Sequence, residues 1–282
     1  MCEGRSTDET EWIRQMMAIE RLEQAEHDAW EDLYNACPAA VAAALGLAAE
    51  RIDGALYLQA RQIPMTQFNR MSGLGLRAMD KAVLAGLQRF REAGIAQAWF
   101  QVAPGPRQAE VEHQLQAAGL QLHARRWVKF WRPPEPAPHV TTELEVVPVD
   151  QKAAGAFADT VLAGFGMPPL LKPWLQALPG REGWHCFLAL ADGEPTAGAA
   201  MYVADRIGWL GMGATRPEHR RKGAQSALLA ARIAAGLTLG VDGFTTETGR
   251  PHPGEAGPSF ANIQRAGFRI AYDRPNWGSE VG

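Results

Sequence analysis

Residues 133–138 hold four prolines, inside the run Arg132-Pro133-Pro134-Glu135-Pro136-Ala137-Pro138-His139. Each proline fixes its φ and removes a backbone donor, so neither a helix nor a central strand runs through this stretch. A stiff, extended linker is expected there. It divides the 282 residues into two halves of ordinary domain size, 1–135 and 140–282. Hydrophobic residues make up 46% of the chain and charged residues 21%, which is globular composition rather than disorder.

In the first half, Trp12, Met16, Ile19, Leu22 and Ala25 recur at spacings of three and four among Glu and Arg. That period predicts helix between residue 8 and about residue 50. A strand follows at Ala55–Ala60, then a helix Met79–Ala93 closed by Gly94. Strand Ile95–Val102, helix Gln108–Ala118 and strand Gln121–Trp131 complete the half.

The second half repeats this grammar. A strand at Leu144–Val149 leads to helical stretches around 151–164 and 170–178. Strands Trp184–Ala191 and Thr196–Ala204 are joined through Asp192-Gly193, a hairpin signal. A glycine-rich strand Ile207–Thr215, a helix over 221–237, strand Gly243–Thr248, helix Pro258–Ala266 and a last strand from Phe268 follow. Ala118-Gly119-Leu120-Gln121-Leu122-His123-Ala124 resembles Ala266-Gly267-Phe268-Arg269-Ile270-Ala271, and Gly94 and Gly240 precede matching strand–helix pairs. The echo points to a duplicated unit. The expected class is α/β (α+β), with a mixed, mostly antiparallel central sheet flanked by helices in each half.

Bulk properties narrow the partners. A formal net charge of −3 gives no general reason to expect nucleic acid or an anionic membrane. Arg125-Arg126-Trp127-Val128-Lys129-Phe130-Trp131 alternates cationic and aromatic residues, and is read as a strand with one buried face rather than a base-stacking platform. Cys2, Cys37 and Cys186 share no metal-ligand spacing, so no metal site is expected and a reducing compartment is. The first residues lack the apolar core of a signal peptide and no segment is apolar enough to span a bilayer. A cytoplasmic monomer or homodimer is the expectation.

The strongest chemical signal lies in the second half. A strand ending Gly211-Met212-Gly213-Ala214-Thr215 runs through a basic turn, His219-Arg220-Arg221-Lys222-Gly223, into a helix opening Ala224-Gln225-Ser226. The first amides of a helix lack intrahelical partners and point at any anion placed there. Gly223 lets backbone approach such an anion closely. Three cations at the positive end of a helix dipole are mismatched until an anion arrives.

This segment resembles motif A of the GNAT superfamily of N-acetyltransferases, Arg/Gln-x-x-Gly-x-Gly/Ala, with Arg220, Arg221, Lys222 and Gly223 on its first four positions. Gln225 departs from it, standing where the family usually has Gly or Ala. The resemblance extends over most of 143–277 and includes Thr245-Thr246-Glu247-Thr248 and Asn262-Ile263-Gln264-Arg265-Ala266-Gly267-Phe268. It implies two GNAT-like domains and a V-shaped splay between the fourth and fifth strands that admits acetyl-CoA. In that reading Met212, Gly213 and Ala214 pair with the pantetheine arm, the 220–226 loop holds the diphosphate, and Asn262 faces the same cleft.

Direct transfer to an amine through a tetrahedral intermediate needs a base, an oxyanion donor and a proton for the thiolate. Glu247, a carboxylate among β-favouring threonines, is the first candidate base, and His252 in the following loop a weaker one. The family's usual tyrosine acid falls at Ile263, so Tyr272 and Ser259 are the remaining candidate donors. The first half offers only Ser72-Gly73-Leu74-Gly75-Leu76-Arg77 at the equivalent place, and is expected to be a degenerate copy that binds no CoA. The leading expectation is an acetyl-CoA-dependent N-acetyltransferase for a small-molecule amine. Acetylation of a protein lysine or N-terminus, or an idle acyl-CoA-binding module, are the alternatives.

Overall fold

A computed structural model describes residues 4–77 and 81–278, with side chains from Met16 onward; Trp12 lies outside the described side chains. Helix α1 (Gly4–Asn35) follows the predicted period, but it is not continuous to residue 50. Pro38 breaks it, α2 (Ala39–Leu45) restarts, and Gly46 at φ 64° ends that helix. Leu47–Ile52 is instead a strand, β1. Asp53 (φ 49°) and Gly54 (φ 89°) form a two-residue turn that folds β1 back on β2 (Ala55–Ala60), pairing Ile52 with Ala55. The Asp-Gly signal that predicts the 192–193 hairpin was present here too.

β3 (Arg70–Leu74) follows, another strand the pattern did not predict. Then come α3 (Ala82–Glu92), whose expected start at Met79 lies outside the described residues, β4 (Trp99–Val102) and α4 (Gln108–Ala117). The single strand expected over Gln121–Trp131 is two: β5 (Gln121–Leu122) and β6 (Trp127–Arg132). The proline run after β6 has no regular structure, and the Arg132 guanidinium ties it down by donating to the carbonyls of Pro133, Glu135 and Pro136.

The second half matches expectation closely. It comprises β7 (Glu145–Pro148), α5 (Ala154–Phe165), α6 (Lys172–Gln176), β8 (Trp184–Ala191), β9 (Glu194–Ala204) and β10 (Ile207–Thr215). α7 (Ala224–Thr238), β11 (Gly243–Gly249), α8 (Pro258–Arg265) and β12 (Arg269–Arg274) follow. The last strand does not run on: Pro275, with no N–H to give a ladder, separates β12 from β13 (Asn276–Gly278).

The two sheets read β1-β2-β3-β4-β13-β5 and β12-β6-β11-β10-β9-β8-β7. Each therefore holds, next to its terminal strand, one strand contributed by the other half. β13 sits between β4 and β5, and β6 sits between β11 and β12. Asn276 fixes the first crossing, accepting from Gln101 at 2.9 Å and donating to the Arg125 carbonyl at 2.9 Å. The equivalent placement in both sheets, with the parallel pairs β3–β4 and β10–β11 in matching positions, agrees with a duplicated unit. The proline run is thus a boundary in sequence but not between sheets. Both faces of β6 are covered at its middle, and the expectation of one buried face is corrected: Lys129 is as buried as Val128 and Phe130, while Trp127 and Trp131 are half-buried.

α1 joins the halves. Leu33 and Tyr34 enter one core with Leu56 and Leu58 of the first sheet and Trp209 of the second. About two to three turns earlier, the same helix buries Glu23, Glu26 and His27. Arg274 from β12 pairs with both carboxylates, at 3.0 Å and 2.8 Å. Arg70 from β3 reaches Glu26 at 2.9 Å, and Lys129 from β6 also bonds it. Burial opposes the charge on Glu26, but Arg274, Lys129 and Arg70 outweigh it and hold its carboxyl well below 4.5. Burial lowers His27 to about 3, so its ring is neutral.

Removing one partner of such a group strands the others. Glu26→Gln is expected to lose about 3–5 kcal/mol at pH 7 in urea unfolding. Because the folded-state pKa is depressed, this stabilisation is full above the unfolded value near 4.5 and is lost as pH falls toward the folded value. The gap between the proteins should narrow below pH 4.5; equal stability at pH 7 contradicts the assignment.

Candidate functional site

β10 and β11 run parallel and pair only at Ile207 with Gly243, Gly208 with Phe244 and Trp209 with Thr245. β10 then carries a bulge. Its register on β9 passes from Gly211–Ala200 to Ala214–Gly198, so Met212 and Gly213 stand against Ala199 alone. Met212 takes φ 54°. A bulge bends its strand and increases its twist, and here it carries β10 away from β11. A Cβ on Gly211 would lie 1.9 Å from the Trp209 ring, so only glycine fits beneath that indole.

Arg232 of α7 braces the bend. Its guanidinium donates to the carbonyls of Ala200 (3.0 Å), Gly211 (3.1 Å) and Leu228 (3.0 Å). Burial lowers its pKa to about 9, and its charge is met by carbonyl dipoles.

In the first half the corresponding bend closes again. β3 has a register break after Met71, yet pairing with β4 resumes at Leu74–Val102. Ala103 donates to Leu74 (2.8 Å) and Arg107 to Gly75 (3.1 Å). His27 fills the space at the bend: a Cβ on Gly73 would lie 2.4 Å from its ring, and Ser72 Oγ is 3.1 Å from its Nε2.

The splay of the second sheet opens into a cavity of about 870 Å³. At one end stand Arg220, Arg221 and the Gly223–Ser226 turn; along its side run Gly211 to Thr215. Arg221 (φ 66°) and Gly223 (φ 83°) are both left-handed, which turns the chain sharply into α7. No side chain caps the first turn of that helix. Arg220 anchors the turn by donating to Gly164 O at 3.0 Å. Gln225, the departure from the motif, donates to Thr215 Oγ1 at 2.9 Å and lies against Gly213. Lys222 is exposed and outside the lining. α8 contributes Ser259, Asn262 and Ile263.

Glu247 of β11 faces the same cavity. Its carboxylate, 6% exposed, accepts from Trp209 Nε1 at 3.0 and 3.1 Å and from Lys129 Nζ at 3.3 Å. Burial and the nearby Glu26 charge raise its pKa above 4.5, while Lys129, Arg274 and Arg70 oppose the rise. Beside it, Trp30, Phe68, Trp174 and Trp209 form a continuous aromatic cluster, with centroid separations of 5.7–6.3 Å.

The fold therefore brings Glu247, Ser259, Asn262, Met212–Ala214, Arg220, Arg221 and Gly223–Ser226 onto one cavity. Tyr272 is not among its lining: its hydroxyl donates to Glu23 at 2.6 Å, and burial with the Glu23 charge raises its pKa well above 10. His252 is exposed in its loop, also off the lining. Sequence reasoning missed Trp209, Lys129, Arg232 and the aromatic wall supplied by α1 and residues 65–68. Their signals were weak, since each reads locally as ordinary core or surface. Among the described residues no group of His, Cys, Asp or Glu is arranged to hold a metal ion, and no helix is long and apolar enough to cross a membrane.

No family model and no curated protein matches this sequence. Solved structures do match the fold. A GCN5-related N-acetyltransferase from Kribbella flavida aligns over 93% of this chain and 95% of its own, with TM-score 0.56 and 19% identity. A tandem GNAT protein from the clavulanic acid biosynthesis pathway, solved without AcCoA, aligns over 76% and 75%, with TM-score 0.55 and 16% identity. A GCN5-related N-acetyltransferase from Sphaerobacter thermophilus aligns over 70% and 65%, with TM-score 0.54 and 19% identity. The chain has the GNAT fold in tandem form.

The Trp209 donor stabilises the ionised form of Glu247. Trp209→Phe, which removes that N–H and leaves a smaller aromatic ring in its place, is expected to raise the Glu247 pKa further. Carboxyl-carbon NMR titration reads this directly; an unmoved titration contradicts the contact.

Proposed function

We propose that this chain is an acetyl-CoA-dependent N-acetyltransferase whose acceptor is a small-molecule amine. The observation that carries the reading is the bulge-held splay leading directly to an uncapped helix start. Gly223 sits in the left-handed region at φ 83°, where a Cβ would come no nearer than 3.6 Å to Thr142, and the amides that follow have no side-chain partner. These features fit a diphosphate, and Arg220 and Arg221 add charge beside it.

Acetyl-CoA supplies the acetyl group as an activated thioester. The turn at Gly223–Ser226 and the two arginines hold the phosphates, and the bulged backbone at Met212–Ala214, freed from β11, offers peptide groups to an extended arm. A peptide N–H of this segment is the proposed oxyanion donor.

An ammonium has no lone pair, so a proton must leave the acceptor. Glu247 is the proposed base, since its raised pKa brings it nearer the operating pH while Lys129 and Trp209 still favour its ionised form. Ser259 is the proposed donor to the departing sulfur. Tyr272 is committed to Glu23 and is not assigned that role.

We assign a supporting role to the first half, because its own bend is zipped by backbone bonds and filled by His27. It contributes Trp30, Met65 and Phe68 to the acceptor end instead. Walls on that side favour a small acceptor over a protein chain.

Gly223→Glu, which puts bulk and negative charge at the phosphate turn, is expected to weaken acetyl-CoA binding about tenfold or more by calorimetry. Unchanged affinity would refute the site. Glu247→Gln is expected to lower turnover by about 10²–10⁴. The base must be ionised, so wild-type turnover falls as pH drops through a pKa above 4.5; the variant should lack that limb. An unaltered profile removes Glu247 from the mechanism.

A further inference from the structure

The acceptor end of the cavity differs sharply from the phosphate end. Its walls are Trp30 and Leu33 of α1, Phe68, Leu171, Trp174 and Trp209. The aromatic members form one packed surface: Trp30 meets Phe68 at 5.7 Å and Trp209 at 6.3 Å, and Phe68 meets Trp174 at 5.8 Å. The one carboxylate in the cavity lining among the described residues is Glu247, held at the edge of this surface by the Trp209 indole.

The cations are all elsewhere. The arginines in the lining are Arg220, Arg221, Arg232 and Arg265, on the phosphate turn, α7 and α8. Arg232 is committed to three carbonyls, and Arg265 donates to Asn262. Nearest the aromatic wall are Arg70 and Lys129, but both are buried behind it and bonded to Glu26. Arg70 lies over the Trp30 ring at 4.4 Å without entering the lining.

A ligand carboxylate or phosphate in the aromatic chamber would lose its water and meet no counter-charge, which is strongly unfavourable. A strongly hydrated acceptor would likewise leave most of its hydroxyls unpaired against these rings, where Gln67 and the unpartnered N–H groups of Trp30 and Trp127 are the polar groups at hand. An apolar body would bury its surface there, and its single amine would lie toward Glu247.

We infer that the acceptor is a hydrophobic primary amine, an aryl- or alkyl-alkylamine without an acidic group, seated against Trp30, Phe68 and Trp174 with its nitrogen toward Glu247. This rests on the acetyltransferase reading above and narrows it to a substrate class. The transfer balances simply: the C–N bond forms, the C–S bond breaks, the amine proton passes to Glu247, and the thiolate takes a proton on leaving.

The test uses the full chain with acetyl-CoA and three acceptors, 2-phenylethylamine, phenylalanine and ethanolamine, followed by thiol release. The expected result is kcat/KM for 2-phenylethylamine about tenfold or more above the other two. Phe68→Ala should raise KM for 2-phenylethylamine while leaving acetyl-CoA affinity by calorimetry unchanged. Phenylalanine or ethanolamine equal to or better than 2-phenylethylamine overturns the inference, as does an unmoved KM in the variant. If acetyl-CoA binds but no thiol is released, quenching of indole emission by each amine decides. Tighter binding of 2-phenylethylamine than of phenylalanine supports the chamber, and equal or absent binding overturns it. Failure of acetyl-CoA itself to bind refutes the acetyltransferase reading, and the quenching series then judges the chamber by itself.

Discussion

One extra residue in one strand governs the second sheet. Met212 and Gly213 oppose Ala199 alone, and the bend they impose ends the β10–β11 ladder after three pairs. Without the bend, β10 would continue beside β11 and there would be no cleft between them. Arg232 braces it from α7, donating to the Gly211 and Ala200 carbonyls beside the bulge. The first half shows the alternative outcome of the same geometry. Its bend is re-zipped at Leu74 and occupied by His27, and its sheet remains closed. Two like units reach different endpoints through local differences at the bend.

The halves are also joined electrically. Arg70, Lys129 and Arg274 come from three strands in two sheets and converge on Glu23 and Glu26 of one helix. Three cations against two carboxylates leave one positive charge, and ionised Glu247, bonded to Lys129, brings the group to neutrality. That balance opposes the upward pull of burial on Glu247. The residue proposed to move a proton is therefore poised by a network whose main anchors lie on α1, far from it in sequence. The reciprocal placement of β6 and β13 brings the network together: Lys129 stands beside Glu247 because β6 pairs with β11.

Much of this was legible beforehand. The Asp192-Gly193 turn, the glycine-bearing β10, the basic turn before α7 and the position of Glu247 all follow from local chemistry, and local chemistry is what sequence reports best. The exchange of strands was not legible, because β5 and β6 read as one run of strand-forming residues. Nothing local says that His123–Arg126 carries the chain from one sheet to the other. Lys129 illustrates the limit most clearly. A lysine flanked by Val128 and Phe130 signals an outward face, and only the arrival of β11 and β12 on either side, with Glu26 behind, makes it a buried cation. Tyr272 misled in the opposite sense, as a hydroxyl at a plausible distance in sequence that the fold assigns to Glu23. The duplication showed in the Ala-Gly echo, but its consequence, one cleft kept open and one closed, depended on His27 from a distant helix.

The central claim is that the splay of β10 from β11 receives CoA with its diphosphate at the start of α7. A crystal structure of the chain grown with CoA tests it most directly. Diphosphate density is expected against the amides of Gly223–Ser226, with pantetheine along Gly211–Ala214. CoA bound in the first half, elsewhere on the surface, or not at all in crystals soaked to saturation would contradict it.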